Sequence, residues 1–462
     1  MTHTDKMSPL EVRASISLAS IYGLRMLGMF LILPVFAIYA EHLPGGQDHT
    51  LIGFALGAYG LTQALLQLPF GMASDRFGRK RVIYFGLVLF AIGSFIAASA
   101  SAASDLYMII IGRSIQGAGA ISAAVTALTA DLTREEHRTK AMAMIGMTIG
   151  ITFALSLIVG PALYHLIGMP GIFAMTGGLA LLAILVVKYA VPNPQISRFH
   201  SDAEAMPSKL KDVLRDKQLL RLNFGIFVVH AAQMAMFMVV PFALKETGGI
   251  DANHHWQIYL PVMVVSFLLM IPAIIYGEKK ARLKPVFVGA IGLMVVAQIG
   301  FALAIHNFWG IVMMLVAYFI AFNVLEASLP SLISKIAPAA SKGTAMGVYN
   351  TFQSFGLFLG GTMGGYLSHR FGQSAVFMFG AGLSVFWLFL ALGMKAPPAV
   401  KSRMFHIGEL SVENARVLSQ KLAGLDGVVE AVVLSEEGVA YLKVDMKYWD
   451  EQGVNELIAR AN

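Results

Sequence analysis

The chain has 462 residues, 57% of them apolar and only 13% charged, about half the charged share of a soluble globular domain; such a composition cannot cover itself with polar surface and belongs in a bilayer. No cysteine is present, which excludes disulfides, thiolate metal sites and CxxC metal delivery, and no cofactor is expected. The formal charge of +7 does not point to a nucleic-acid partner, because the basic residues lie between apolar runs, where they set membrane topology.

A polar start ends at Glu11 and Arg13, and the first apolar run covers 15–40. That is far longer than the ~7–15 residues of a signal-peptide core, so it reads as a retained span. Further runs lie at 51–73, 82–103, 106–130, 141–167 and 170–191. Each has the roughly 20 residues that carry a helix across the hydrocarbon core, which gives an N-terminal bundle of six spans over 1–191. Residues 192–221 read as a cytoplasmic linker carrying Arg198, Lys209, Lys211, Arg215 and Lys217. Its amphipathic piece, 209–220, is expected on the membrane surface. A second bundle, 222–398, has runs at 222–244, 256–277, 285–305, 308–333, 345–367 and 374–394. The expected fold is therefore an all-α membrane protein of twelve transmembrane helices in two six-helix bundles.

Basic residues gather in alternate loops: Arg76 to Arg81; Arg134, Arg138 and Lys140; the linker; Lys279, Lys280, Arg282 and Lys284; Lys335 and Lys342. The intervening loops hold only Lys245 and Arg370. The positive-inside rule then places both termini in the cytoplasm. The halves look like copies. Met29, Phe30 and Pro34 return as Met236, Phe237 and Pro241; Pro69 with Asp75, Arg76, Arg79 and Arg81 has an echo in Pro272, Glu278, Lys279, Arg282 and Lys284; Ala141 and Met142 match Ala345 and Met346. Offsets of 207, 203 and 204 residues argue for one duplicated six-helix unit, a plan that puts a substrate site at the midplane between halves that rock.

From 399 to 462 the composition becomes that of a small soluble domain. Phe405 and Ile407 alternate as a strand, Val412, Ala415, Leu418 and Leu422 form a helical stripe, 428–434 and 439–444 read as a hairpin around Glu436, Glu437 and Gly438, and 454–459 suggests a last helix. The order βαββα predicts an α+β ferredoxin-like domain.

Polar side chains inside spans need a cavity or a partner. Glu326 is the only carboxylate deep within a span, with Asn323 on its face. A carboxylate removed from water favours its neutral form, the property a proton carrier needs; the competing reading is an ion pair with Arg25, Arg113 or a neighbouring amide. Arg113 shares a helical face with Gln116 and Gly117 and reads as a proton-site residue or a buried bridge between helices. Arg25, in the first span, either binds an anionic group of the substrate or neutralises an acid such as Glu326. His230 with Gln233 has the spacing and chemistry of a proton relay, or of a hydrogen-bonded packing residue. Gln63 and Gln67 on the second span and Gln353 on the eleventh are expected to line the cavity, whereas tyrosines and methionines on these spans read as packing. Gly360, Gly361, Gly364 and Gly365 have the spacing for close helix contact.

The stretch Gly71 to Ile83 reads GMASDRFGRKRVI and resembles motif A of the major facilitator superfamily, with Gly71, Asp75, Arg76, Gly78, Arg79, Lys80 and Ile83 in the family's places. RSIQGAGA, beginning at Arg113, resembles motif B. Gly160 and Pro161, with Gly150 before them, resemble the core of motif C of the drug:proton antiporter branch, although Ser156, Tyr164 and His165 stand where glycines are usual. The resemblance implies alternating access, a cavity-facing Arg113 that takes part in proton transfer, and a conformational latch of Asp75, Arg79 and Asp131 beside Gly71 and Gly78 that holds the cytoplasmic side shut. The C-terminal segment is similar to a cytoplasmic domain appended to one group of these transporters and, more faintly, to the heavy-metal-associated fold.

The sequence thus reads as a secondary active transporter, a proton-coupled exporter of small amphipathic molecules whose partners are that substrate, protons and the lipid bilayer. Self-association through an exposed strand of the C-terminal domain, or ligand sensing by it, stays open. Alternatives are a proton-coupled uptake symporter and a non-transporting sensor. No nucleophile, base and orienting acid occur together and no P-loop is present, so an enzyme is not expected.

Overall fold

The computed structural model of the chain describes residues 7–193, 206–280, 282–338, 341–395, 400–408, 410–435, 438–445 and 448–461. Arg198, the 398/399 boundary and the Glu436–Glu437 turn lie outside the described residues.

The first span is built from α1 (Pro9–Phe30) and α2 (Phe36–Glu41). Ser8 and Glu11 cap α1 reciprocally, and the helix gives way before Pro34, where Leu33 N bonds to Phe30 O and Val35 N to Ile32 O in tighter turns. The second and third spans, α3 (His49–Phe77) and α4 (Arg79–Ala102), are joined by Gly78 alone, at φ +95°, a backbone that other residues rarely adopt. The fourth span is split at Gly119–Ile121 into α5 (Leu106–Ala118) and α6 (Ser122–Leu132).

A continuous helix of 55 residues, α7 (Glu135–Tyr189), would measure roughly 80 Å, more than twice the hydrocarbon core. It is instead two spans folded at Gly168 (φ +65°, ψ 179°). Both ends of α7 consequently lie beside the start of α1, where Arg134 pairs with Glu11 and Arg13 donates to the carbonyls of Tyr189 and Ala190.

The second half contains α8 (Pro207–Arg215), α9 (Lys217–Glu246), a 3-10 turn (Ala252–His254), α10 (Trp256–Lys279), α11 (Leu283–Ala304), α12 (Phe308–Ile336), α13 (Lys342–Phe371) and α14 (Gln373–Leu392). Gly372 repeats the geometry of Gly168 (φ +86°, ψ 172°) at an offset of 204 residues, so the duplication is visible in the backbone. Nine stretches among the described residues are long and apolar enough to cross a membrane, with α5–α6 and α7 each counted once. The second arm of α7 and the more polar α1 and α13 complete twelve spans. The amphipathic linker piece is α8, and it lies against the bundle: Val213 is buried, Met206 N donates to Thr344 Oγ1, and α8 packs on α9 and α13. The seventh helix begins at Lys217, inside the expected linker.

The C-terminal domain is β1 (Val400–His406), α15 (Val412–Ala423), β2 (Val428–Leu434), β3 (Val439–Asp445) and α16 (Glu451–Ala461). Both outer strands run antiparallel to a central β3, in the order β1-β3-β2, the split βαβ arrangement of a ferredoxin-like fold. Ala440, Leu442 and Val444 pack on Leu418, Leu422, Val454 and Ile458. Val412, expected on the helical stripe, is 78% exposed because α15 starts there. On the opposite face of β3, Lys443 is buried and its Nζ donates to Ala337 O, the C-cap of α12, at 2.7 Å while pairing with Glu430 at 2.9 Å. A positive side chain from the small domain thus satisfies an end-carbonyl of a transmembrane helix.

Candidate functional site

The halves meet along a glycine seam between α3 and α13. A Cβ on Gly53 would lie 2.1 Å from Gly361 O, one on Gly57 2.7 Å from Phe358 O, and one on Gly60 2.6 Å from Ser354 O; no larger residue fits. The other face of α13 is equally tight against α9, where Gly356 and Gly360 meet the carbonyls of Phe227 and Ala231. The seam continues to the end of the bundle remote from the chain termini, where Gly365 meets His49 O, His49 stacks on Phe242, and Asn253 contacts His165 at 3.1 Å. The molecule is closed at this distal end.

Two buried polar groups flank the seam at mid-depth. In the N-terminal half, Arg25 and Arg113 are each 1% exposed and their Cζ atoms lie 5.8 and 5.1 Å from the centroid of the Tyr59 ring. Arg25 donates to Tyr59 Oη at 2.6 Å and to Gln63 Oε1 at 3.4 Å. Arg113 donates to Gln116 Oε1 at 3.0 Å and to Leu56 O at 3.3 Å, and Gln116 is held by Ser94 Oγ at 2.8 Å. The break between α5 and α6 follows directly on this group. Broken helices of this kind mark binding sites in transporters.

In the C-terminal half, His230 of α9, Glu326 of α12 and Gln353 of α13 converge. His230 Nε2 lies 2.8 Å from the Gln353 amide nitrogen and 4.0 Å from Glu326 Oε2, and the His230 ring packs against Phe322 at 6.1 Å. Glu326 therefore meets His230 and neither arginine, and Arg25 is paired with neutral groups rather than with an acid. Asn323 Nδ2, Gln233 Oε1 and both amide atoms of Gln67 are buried without hydrogen-bond partners. They are free to serve a ligand.

Tyr59 is the residue sequence reasoning missed: assigned to packing, it is the hub of the arginine pair, and its position four residues before Gln63 was the available signal. Tyr318 and Tyr349 were likewise overlooked, and their hydroxyls are buried without acceptors.

At the opposite end, Arg79 bonds to Asp75, to Ser74 Oγ at 3.0 Å and to the fully buried carboxylate of Asp131 at 3.5 Å. Gly71 lies against Ala123, where a Cβ would come within 3.3 Å of that methyl. These contacts tie α3, α4 and α6 of one half. Nearby, in the first turn of α1 ahead of the apolar run, burial raises the Glu11 carboxyl, but hydrogen bonds from Arg134 and Ser8 more than reverse this and hold it at about 2. No cluster of metal-ligating side chains occurs among the described residues.

The Major Facilitator Superfamily model matches residues 18–361 and 263–409. The chain belongs to the major facilitator superfamily. This member is 43% identical to the inner membrane transport protein YajR of Escherichia coli over 456 residues, 99% of each chain. It is 26% identical to the multidrug resistance protein MdtH of Proteus mirabilis over 350 residues, 74% of this chain and 84% of that one. Its fold matches the crystal structure of a bacterial homolog to human lysosomal transporter Spinster, in an inward-facing and occupied conformation, with a TM-score of 0.64 at 16% identity, covering 83% of this chain and 96% of the other. The protein is accordingly a multi-pass membrane transporter of small molecules and not an enzyme.

Proposed function

We propose that this transporter exports small amphipathic molecules in exchange for protons across a bacterial inner membrane, with both termini cytoplasmic. In that orientation the closed distal end faces the periplasm. Glu326 carries the proton beside His230, Arg113 tunes the cavity, and Arg25, Gln63, Gln67, Gln116, Gln233, Asn323 and Gln353 contact the substrate. The Asp75–Arg79–Asp131 cluster acts as the latch by fixing the helix ends that meet the other half when the cytoplasmic side shuts. The observation that carries the reading is the placement of Glu326 beside the seam, its Oε2 buried without a hydrogen-bond partner and 4.0 Å from His230 Nε2, a titratable group where the halves part. Similarity to MdtH, whose name records multidrug resistance, supports export.

Proteoliposomes loaded with a pH-sensitive dye test this. Substrate-driven proton movement by the intact protein, lost in Glu326→Gln, supports coupled transport; movement that survives removes Glu326 as the carrier. Accumulation with the proton gradient instead of against it would make the protein an uptake symporter. Binding without flux would favour a sensor, a reading to which the Lys443–Ala337 contact lends weight, since it joins the small domain to the helix that holds Glu326.

A further inference from the structure

We infer that Arg25, Tyr59 and Arg113 form a receptor for an oxyanion head group, so that the transported molecule is an amphipathic acid. The inference rests on the transport reading above and names its substrate class. Both guanidiniums are withdrawn from solvent, at 1% exposure, and both crowd one tyrosine ring. All of their hydrogen-bond acceptors are neutral: Tyr59 Oη, Gln63 Oε1, Gln116 Oε1 and the Leu56 carbonyl. Neither arginine forms an ion pair among the described residues, and the one carboxylate at this depth, Glu326, lies in the other half, 4.0 Å from His230 Nε2. Arg25 Nε, Arg25 Nη1 and Arg113 Nε are buried with no acceptor at all.

Two like charges in apolar surroundings, with three guanidinium nitrogens unanswered, are missing a negatively charged partner that has several acceptor oxygens. A carboxylate or phosphate has that form, and the planar guanidinium fork matches it. The neighbouring walls are apolar and come from both halves: Met29, Phe30 and Leu33 from one, Met234 and Leu357 from the other. The space among them is about 10 Å³ in this closed arrangement, room for about one water. Parting the halves widens it, which admits an apolar body behind the charged head. Charge recognition therefore belongs to the N-terminal half and proton exchange to the C-terminal half.

The test compares two probes that share one ring system, naphthaleneacetate and naphthylmethylamine, binding to the purified full-length protein. The acid is measured directly as the tritiated compound and the amine by competition. The acid should bind at least about tenfold more tightly than the amine. That preference should vanish in Arg25→Gln and Arg113→Gln and return in part in Arg25→Lys. Equal affinities, no binding of the acid at millimolar concentration, or unchanged acid binding in both glutamine variants would overturn the proposal. Should Arg113→Gln fail to fold, the Arg25 pair of variants decides alone. Proton movement driven by the amine and not by the acid would remove the anion site while leaving coupled transport standing. Arginine-dependent binding of the acid with no proton movement would keep the site and remove the transport reading.

Discussion

The two bundles share one plan and bury opposite chemistry. Aligning the N-caps of α5 and α12, Asp105 and Asn307, sets Leu315 against Arg113 and Ala124 against Glu326. Neither charge has a counterpart in the other copy. The frame differs as well: α1 breaks before Pro34, whereas α9 runs unbroken through Pro241. Duplication supplied the packing, including the matched turns at Gly168 and Gly372. Divergence placed two arginines on one side of the seam and a carboxylate with a histidine on the other. Segregation of this kind keeps the fixed positive charge from pairing permanently with Glu326, the proposed proton carrier.

The largest effect is expected at the seam itself. Gly53→Leu drives a side chain into Gly361 O and should abolish transport by preventing distal closure. Because the chain has no cysteine, a single Ser354→Cys reports the outcome. Its labelling by a membrane-impermeant maleimide should be slow in the parent and fast with Gly53→Leu, and equal rates would refute a closing seam. Next, His230→Ala, which removes the imidazole beside Glu326 and the partner of the Gln353 amide, should lower proton-coupled transport by about tenfold, the scale of one lost hydrogen bond, and shift its pH profile while leaving acid binding at the arginines unchanged. A parallel loss of binding would break the division between halves.

A smaller effect tests the N-terminal half without touching either site. The folded Glu11 carboxyl is held at about 2, below its ordinary 4.5, so the stability it adds is complete above about pH 4.5 and is lost as pH falls toward 2. Glu11→Gln should destabilise the bundle by about 1–2 kcal/mol at neutral pH, discounted for the half-exposed Arg134, and should flatten the acid limb of the unfolding profile measured by thermal melting. The smallest effect is expected from Lys443→Met. Loss of its bond to Ala337 O should raise amide hydrogen exchange at the end of α12 and leave α3 and α4 unchanged.

Most of the fold was legible because crossing a membrane demands long apolar helices whose loops carry charge at fixed intervals. Gly78 was recognisable from its motif and Lys279 to Lys284 from composition alone. Interruptions inside a span were harder to read. Nothing in the apolar run 106–130 announces that α5 stops at Ala118, since the break depends on Gly119 packing against Gly86 of α4. The candidate sites were legible as a list of intramembrane polar residues, but not as groups. Arg25 finds Tyr59 rather than Glu326 because both lie in one bundle, and bundle geometry does not show in residue spacing. The amphipathic α8 was legible as a helix but its packing on α9 and α13 was not, for a related reason: an apolar stripe states that a helix must be covered, not by what.

The central claim is that proton exchange and recognition of the substrate's charge occupy different halves, and substrate-for-substrate exchange by Glu326→Gln in proteoliposomes at uniform pH is its sharpest test. Exchange should continue near the parental rate while net proton-driven flux disappears. Loss of exchange together with flux would show that Glu326 holds the substrate itself, and the division between the halves would be wrong.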